Sequence, residues 1–292
     1  MAINRYRFYL GPVGDLTPLP PHKRSPSLDA SKDFVGQLQE ALSGRRSLDI
    51  RAFKKTWSLD WDWRKEDELL DLFRAQLGYA NAPLRFMDPR SRNLLPLNVS
   101  TGGSELQAPD GFTRAGSGVL TYVADATMPT ELVGQLSGEV QLATAASGDT
   151  LTATYETMPL VTYSTYLFSA YVKGTGSWST CFQRVNTSGA VVDTVFTGAV
   201  ALTGTWQLVQ MTYTADGAYP HIYWGLRNSS AGTVQTTGWQ VQIDEYMRRP
   251  WMPGDGCPEV IVSKVQKKYQ GMIRQNGLLT PYHTVNATIL EA

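Results

Sequence analysis

The chain has 292 residues, 42% of them hydrophobic and 18% charged, with acidic and basic side chains in equal number. That length buries a large core and suggests one large domain or two ordinary ones. Zero net charge removes the electrostatic case for nucleic acid or an anionic membrane surface, and no apolar run reaches the roughly 20 residues a spanning helix needs.

The distribution of charge is more informative than its sum. Residues 1–95 carry 16 Lys/Arg against 12 Asp/Glu and residues 250–292 carry 4 against 3, whereas residues 96–249 carry 6 against 11. Two pieces of different composition therefore share the chain, a charged flank in two parts and a charge-poor middle. Cys181 and Cys257 fall in different pieces, and free thiols are expected. Residues 1–7 lack the apolar core of a signal peptide, so the expectation is a soluble chain made in a cytoplasm.

In chain order, residues 5–10 alternate and predict a first strand. Residues 11–29 hold five prolines and few large apolar groups, which predicts an extended arm or loop. Phe34, Leu38 and Leu42 recur at helical spacing with Gly44 as a stop, predicting a short helix. From Leu48 to Trp63 the period returns to two, with Trp57, Leu59, Trp61 and Trp63 on one side. Residues 65–77 predict the clearest helix: Leu69, Leu70, Phe73 and Leu77 form a stripe, Glu66, Asp67 and Glu68 occupy the first turn, and Gly78 closes it. Leu84 to Met87 reads as a short strand ended by Pro89.

Residues 97–118 are rich in Ser, Thr and Gly and mark a boundary. Weaker strands follow over 120–155. Then comes Thr165-Tyr166-Leu167-Phe168-Ser169-Ala170-Tyr171-Val172-Lys173, in which Tyr166, Phe168, Ala170 and Val172 share one side. Further runs begin near Thr180, Trp206, His221 and Trp239, separated by turn signals such as Lys173-Gly174-Thr175-Gly176 and Asp216-Gly217. Short alternating strands at such intervals indicate an antiparallel β-sandwich. After a turn-dense connector, Val260, Val262, Val265 and Tyr269, then Val285, Ala287, Ile289 and Glu291, supply two or three more strands. This tail is too short to stand alone, and its charge matches the N-terminal segment, so it is expected to complete that segment's sheet. The reading is mainly β: a small α+β domain at 1–97 and 250–292, discontinuous in sequence, with an antiparallel β-sandwich inserted at 98–249.

The search for chemistry finds little. His22, His221 and His283 have no partner at metal-ligand spacing, and no phosphate loop, nucleophile elbow or HExxH occurs. Asp244 and Glu245 are adjacent and would point to opposite faces of a regular strand. No enzyme activity, cofactor or metal is expected. Aromatic side chains are the feature with binding potential, since rigid amphipathic rings stack on sugars. Trp178, beside a turn, is the expected exposed ring. Of Tyr223 and Trp224, one must face inward and one outward. Trp206 and Trp239, at strand starts, read as core or rim.

Phe168-Ser169-Ala170-Tyr171-Val172-Lys173, Gly204-Thr205-Trp206 and Gln242-Ile243-Asp244 ahead of Arg249-Pro250-Trp251 resemble jelly-roll modules of the carbohydrate-binding, galectin-like type. The flanks resemble the distal tail proteins of long-tailed bacteriophages. That likeness rests on Trp57-Ser58-Leu59-Asp60-Trp61, the helix after it, Phe86-Met87-Asp88-Pro89, Asn93-Leu94-Leu95-Pro96 and the closing strands. The resemblance implies a split-barrel-like, ring-forming domain, usually in six copies, at the tip of a phage tail in the virion. There it would join tail tube protein to tail-tip hub proteins, with the jelly roll outward and able to touch host cell-wall glycan. The alternative is a glycan-binding adhesion module without a ring. On the first view Trp57, Trp61 and Trp63 are ring-interface candidates, though they equally suit the flanking core; on either view Trp178, Tyr223 and Trp224 are the glycan-binding candidates.

Overall fold

The computed structural model describes residues 8–12, 16–21, 28–40, 46–78, 83–88, 91–102, 111–123, 127–136, 138–153, 160–219, 221–243, 250–254, 256–275 and 277–292. The chain divides into two compact units. One comprises 7–12, 17–86 and 258–292; the other contains 87–257.

The first unit holds β1 (Tyr9–Gly11), β2 (Thr17–Pro18), β3 (Leu28–Glu40), β4 (Arg46–Arg64), a 3-10 turn (Asp67–Leu69) leading into α1 (Leu70–Gln76), and β5 (Leu84–Met87). In the second unit come α2 (Leu97–Ser100), β6 (Phe112–Ala115), β7 (Val119–Val123), a 3-10 turn (Thr130–Leu132), β8 (Glu139–Ala145), β9 (Thr150–Ala153), β10 (Thr165–Gly174), β11 (Ser177–Val185), β12 (Val191–Phe196), β13 (Val200–Ala201), β14 (Gln207–Thr214), β15 (His221–Asn228) and β16 (Gly232–Ile243). The chain returns to the first unit with β17 (Glu259–Gln275) and β18 (Leu278–Glu291).

The first unit is built on a seven-stranded sheet in the order β2-β1-β5-β17-β18-β4-β3. One face carries Trp57, Leu59, Trp61, Val285, Ala287 and Ile289, all buried with Leu69 and Leu72. Trp57 and Trp61 thus fill this unit's own core, Trp57 against Phe86 at 4.9 Å and Trp61 with its Nε1 donating to Pro20 O at 2.9 Å. Burial removes both as interface residues on a free subunit surface.

Trp63 behaves differently. Its φ is +54°, and the β4–β18 register slips between Trp61↔Val285 and Arg64↔His283. This bulge takes Trp63 out of the tryptophan row and lays its ring over Gly271, 6.2 Å from Tyr282. The ring is 50% exposed.

Several expected elements are corrected. Phe34 and Leu38 lie in strand β3, paired with β4 from Leu28↔Leu59 to Glu40↔Arg46; a spacing of four is a multiple of two as well as about one helical turn, so it suits a strand equally. Leu42 and Gly44 lie outside the described residues, as do residues 5–7. Part of the proline arm is structured: Thr17–Pro18 pairs with β1, and Leu19 is buried. In the helix, the 3-10 start shifts the phase, so Leu69 and Leu72 are buried while Leu70 and Leu77 are exposed.

The second unit is an antiparallel β-sandwich, with a five-stranded sheet β14-β10-β16-β8-β7 and a six-stranded one β12-β11-β15-β9-β6 in which β13 also pairs with β11. The alternation read in β10 points Phe168 inward, where it stacks on Trp224 of the other sheet at 5.4 Å and meets Trp239 edge-on at 5.1 Å. Phe112 and Phe182 extend this ring packing through Trp239 and Tyr213. The sequence reading missed β12 and β13.

Asn93 and Asp149 tie the sandwich's edges. Asn93 is buried with its amide fully used: Nδ2 donates to Trp239 O and Met252 O, and Oδ1 accepts from Leu95 N and Val241 N. Burial alone would raise the Asp149 carboxyl, but N–H groups of Ala146, Gly118 and Ser117 more than offset it and hold it below the usual range. A depressed pKa adds stability that is present above the ordinary carboxylate pKa and is lost as pH falls through the folded value. Replacing Asp149→Asn turns an amide toward backbone donors and should cost about 1–3 kcal/mol at neutral pH. Urea unfolding across pH should show the gap between wild type and variant closing as pH drops below about 4.

Candidate functional site

Among the described residues β14 is an edge strand, paired with β10 alone, and β11 carries the short β13 on part of its edge. Between them a cleft of about 190 Å³ opens into the gap between the sheets. Val172, Trp178 and Leu226 form its apolar lining, and Thr180, Thr197, Gln207 and Gln210 supply polar groups. None of its lining side chains is charged.

The polar groups are partly committed. Thr180 Oγ1 lies 2.8 Å from Thr197 Oγ1 and 3.5 Å from Gln210 O, which bridges the two sheets at the cleft. Gln207 Nε2 donates to Thr203 Oγ1 at 2.9 Å, and Trp178 Nε1 donates to Thr175 O at 3.3 Å. The exposed rim therefore rests on Gln210 of β14 and Val200 of β13.

Trp178 was expected as an exposed ring, but it is only 2% exposed. Its strand position opposite Val200 and Asn228 turns it into the gap between the sheets, where it lines the cleft. Trp224 is the inward member of its pair, 1% exposed and stacked in the core, which takes it away from any surface site. Tyr223 lies on the opposite face, across from Gln183, yet is 8% exposed with His221 at 5.9 Å. Of the three glycan candidates, only Trp178 lines the cleft. Asp244, Glu245 and His22 lie outside the described residues.

Gln207, Gln210, Thr180 and Thr197 were not singled out from sequence. The signal was there in β14, where Gln210, Thr212 and Thr214 mark an exposed side opposite Met211 and Tyr213.

Burial pushes the Cys181 thiol up to about 12, which rules it out as a nucleophile near neutral pH. At the far end of β11, Arg184 and Asp193 form a bidentate pair, and that hydrogen bonding holds the Asp193 carboxyl below its usual range. Among the described residues no group of three or more His, Cys, Asp or Glu could hold a metal ion.

No protein-family model and no curated protein matches the sequence. Solved structures are similar over about half of it. The CBM22-1 xylan-binding domain of Paenibacillus barcinonensis Xyn10C aligns at 16% identity and TM-score 0.36, covering 50% of this chain and 92% of that one. The CBM22-1–GH10 modules of Clostridium thermocellum xylanase 10B, complexed with xylohexaose, align at 14% identity and TM-score 0.37, covering 48% and 27%. The enzymatically active domain of tailspike protein 4 of bacteriophage CBA120 aligns at 12% identity and TM-score 0.38, covering 50% and 22%. None of these three is a distal tail protein.

The packing separates structural from rim positions. Trp224→Ala should lower the unfolding free energy by about 3–5 kcal/mol. Gln210→Ala, at the exposed rim, should stay within about 0.5 kcal/mol. Urea titrations of the two variants check both values.

Proposed function

We propose that the protein binds a neutral glycan through the sandwich cleft. The observation that carries this reading is the composition of the cleft: an indole and aliphatic lining with hydroxyl and amide groups, and no charge. A sugar ring presents an apolar face and a rim of hydroxyls, and such a site satisfies both without paying to desolvate an ion. The cleft is smaller than the roughly 300–1,000 Å³ of most small-molecule sites, so it takes one terminal or side-chain sugar rather than a length of polymer.

A panel of immobilised neutral glycans tests the reading. Wild type should retain at least one class, and Gln207→Ala should weaken retention about tenfold with thermal stability unchanged. If wild type retains none, the reading fails.

A second reading, a structural part of a phage tail tip, is favoured by a separate observation in the other unit. Beyond Arg64↔His283, β17 and β18 continue as a two-stranded ribbon with no further strand paired to them among the described residues. Tyr269, Met272, Ile273, Leu278 and Leu279 on this ribbon are 43–74% exposed, with Trp63 alongside. An isolated hairpin is marginal in water, and an apolar one suits a protein interface. Copies joined through the ribbon would form a homo-oligomeric ring, of six in the tail-tip view, carrying sandwiches in parallel. On this reading light scattering gives a discrete oligomer, and the double variant Leu278→Asp, Leu279→Asp shifts it to monomer. A wild type that is monomeric at every concentration removes support for self-assembly.

A further inference from the structure

Glu139 stands out in the charge-poor sandwich. It lies on β8, has no exposed surface, and its Oε1 has no hydrogen-bond partner among the described residues. Its counter-charge is Lys173 at the end of β10, with Nζ 3.0 Å from Oε2. Lys173 is the one lysine between residues 96 and 249. The same ammonium sits 4.5 Å from the centroid of the Trp206 ring and 3.5 Å from Thr127 O. Trp206 Nε1 also donates to Thr127 O, at 2.6 Å. One buried carboxylate thus holds a lysine, the lysine holds an indole, and both hold the backbone at Thr127.

The chain positions of these groups give the cluster its consequence. Trp206 immediately precedes Gln207, Leu208, Val209 and Gln210, which form the β14 wall of the cleft, and Lys173 immediately follows Val172, which also lines the cleft and pairs with Gln207 across the β10–β14 ladder. Among the described residues β14 has no second neighbouring strand to fix that wall.

We propose that Glu139, Lys173 and Trp206 form a latch that positions the β14 wall, and that protonating Glu139 releases it, making the cleft acid-responsive. This inference rests on the cleft being the binding site, but the latch itself is testable without any ligand.

Lys173 is the charged group that acts on Glu139. Around it β7 places Val123 opposite, with the Tyr122 hydroxyl against Gly138; β16 contributes Thr237, whose Oγ1 donates to Gly138 O; and the Thr130–Leu132 turn contributes Leu132 to the cluster with Tyr171 and Trp251. Burial raises the Glu139 carboxyl above its ordinary value, and Lys173 offsets only part of that. For a raised carboxyl, protonation favours the fold: the group's contribution is fully present below the ordinary pKa and is lost as pH rises through the folded value. Protonating Glu139 therefore loosens the latch without that group itself destabilising the sandwich.

The test follows the Trp206 indole N–H by NMR, its signal identified by its loss in Trp206→Phe. In wild type the signal should shift in one step, with a midpoint above the ordinary Glu value of about 4.5, and exchange with solvent about tenfold faster on the acid side. Glu139→Gln should hold the acid-form signal at every pH. Lys173→Met should move the midpoint of the remaining Glu139-dependent step upward in pH, and it decides the matter if Glu139→Gln does not fold. A signal that does not move with pH, or that titrates unchanged in these variants, overturns the latch. If the signal titrates as expected but no glycan binds, the latch stands and the cleft reading falls.

Discussion

The stack of rings between the two sandwich sheets sets the terms for the rest of the second unit. Phe168 and Trp224 meet face to face at 5.4 Å, and Trp239, Phe112, Phe182 and Tyr213 close around them edge-on or tilted. Rings of this size bury about 150–250 Å² each, so together they dominate the core and fix how far apart the sheets stand. Toward Trp178 the packing changes to a tryptophan, small hydroxyls and aliphatics. The space left among those side chains is the cleft.

A cleft made this way is shallow in energetic terms. A single site near 1 mM is worth only about 4 kcal/mol. Holding several sandwiches on one assembly would multiply avidity by roughly 10² to 10⁴ without a new contact, provided the geometry allows simultaneous engagement. The two proposed functions are therefore complementary: weak glycan recognition in one unit would gain from copies assembled through the other.

The sandwich was legible because its strands obey one rule. In β10, two of the residues assigned to one side face the opposite sheet: Phe168 stacks on Trp224, and Val172 lines the cleft with Trp178 and Leu226. Orientation within an adjacent pair was not legible: Tyr223 and Trp224 differ in face only through register, which here pairs Trp224 with Phe182. Exposure of Trp178 was misread because proximity to a turn says nothing about which way a ring points. Phe34 and Leu38 were misread because four residues satisfy both periods. Trp63 left its row through a bulge, a backbone event that no side-chain pattern records. The Glu139–Lys173 pair was invisible because its members are 34 positions apart and each alone is an ordinary charge.

The position of β18 has a consequence for how the chain comes to fold. This strand is near the middle of the seven-stranded sheet, between β17 and β4, and it pairs Ile289 with Trp57. The sandwich, by contrast, is complete in sequence well before residue 278. During synthesis the sandwich can fold while the first unit still lacks its central strand, leaving the face of Trp57 and Trp61 uncovered. β4, with Trp57 and Trp61, therefore waits for β18 before its sheet is complete, and it is open to mispairing while it waits.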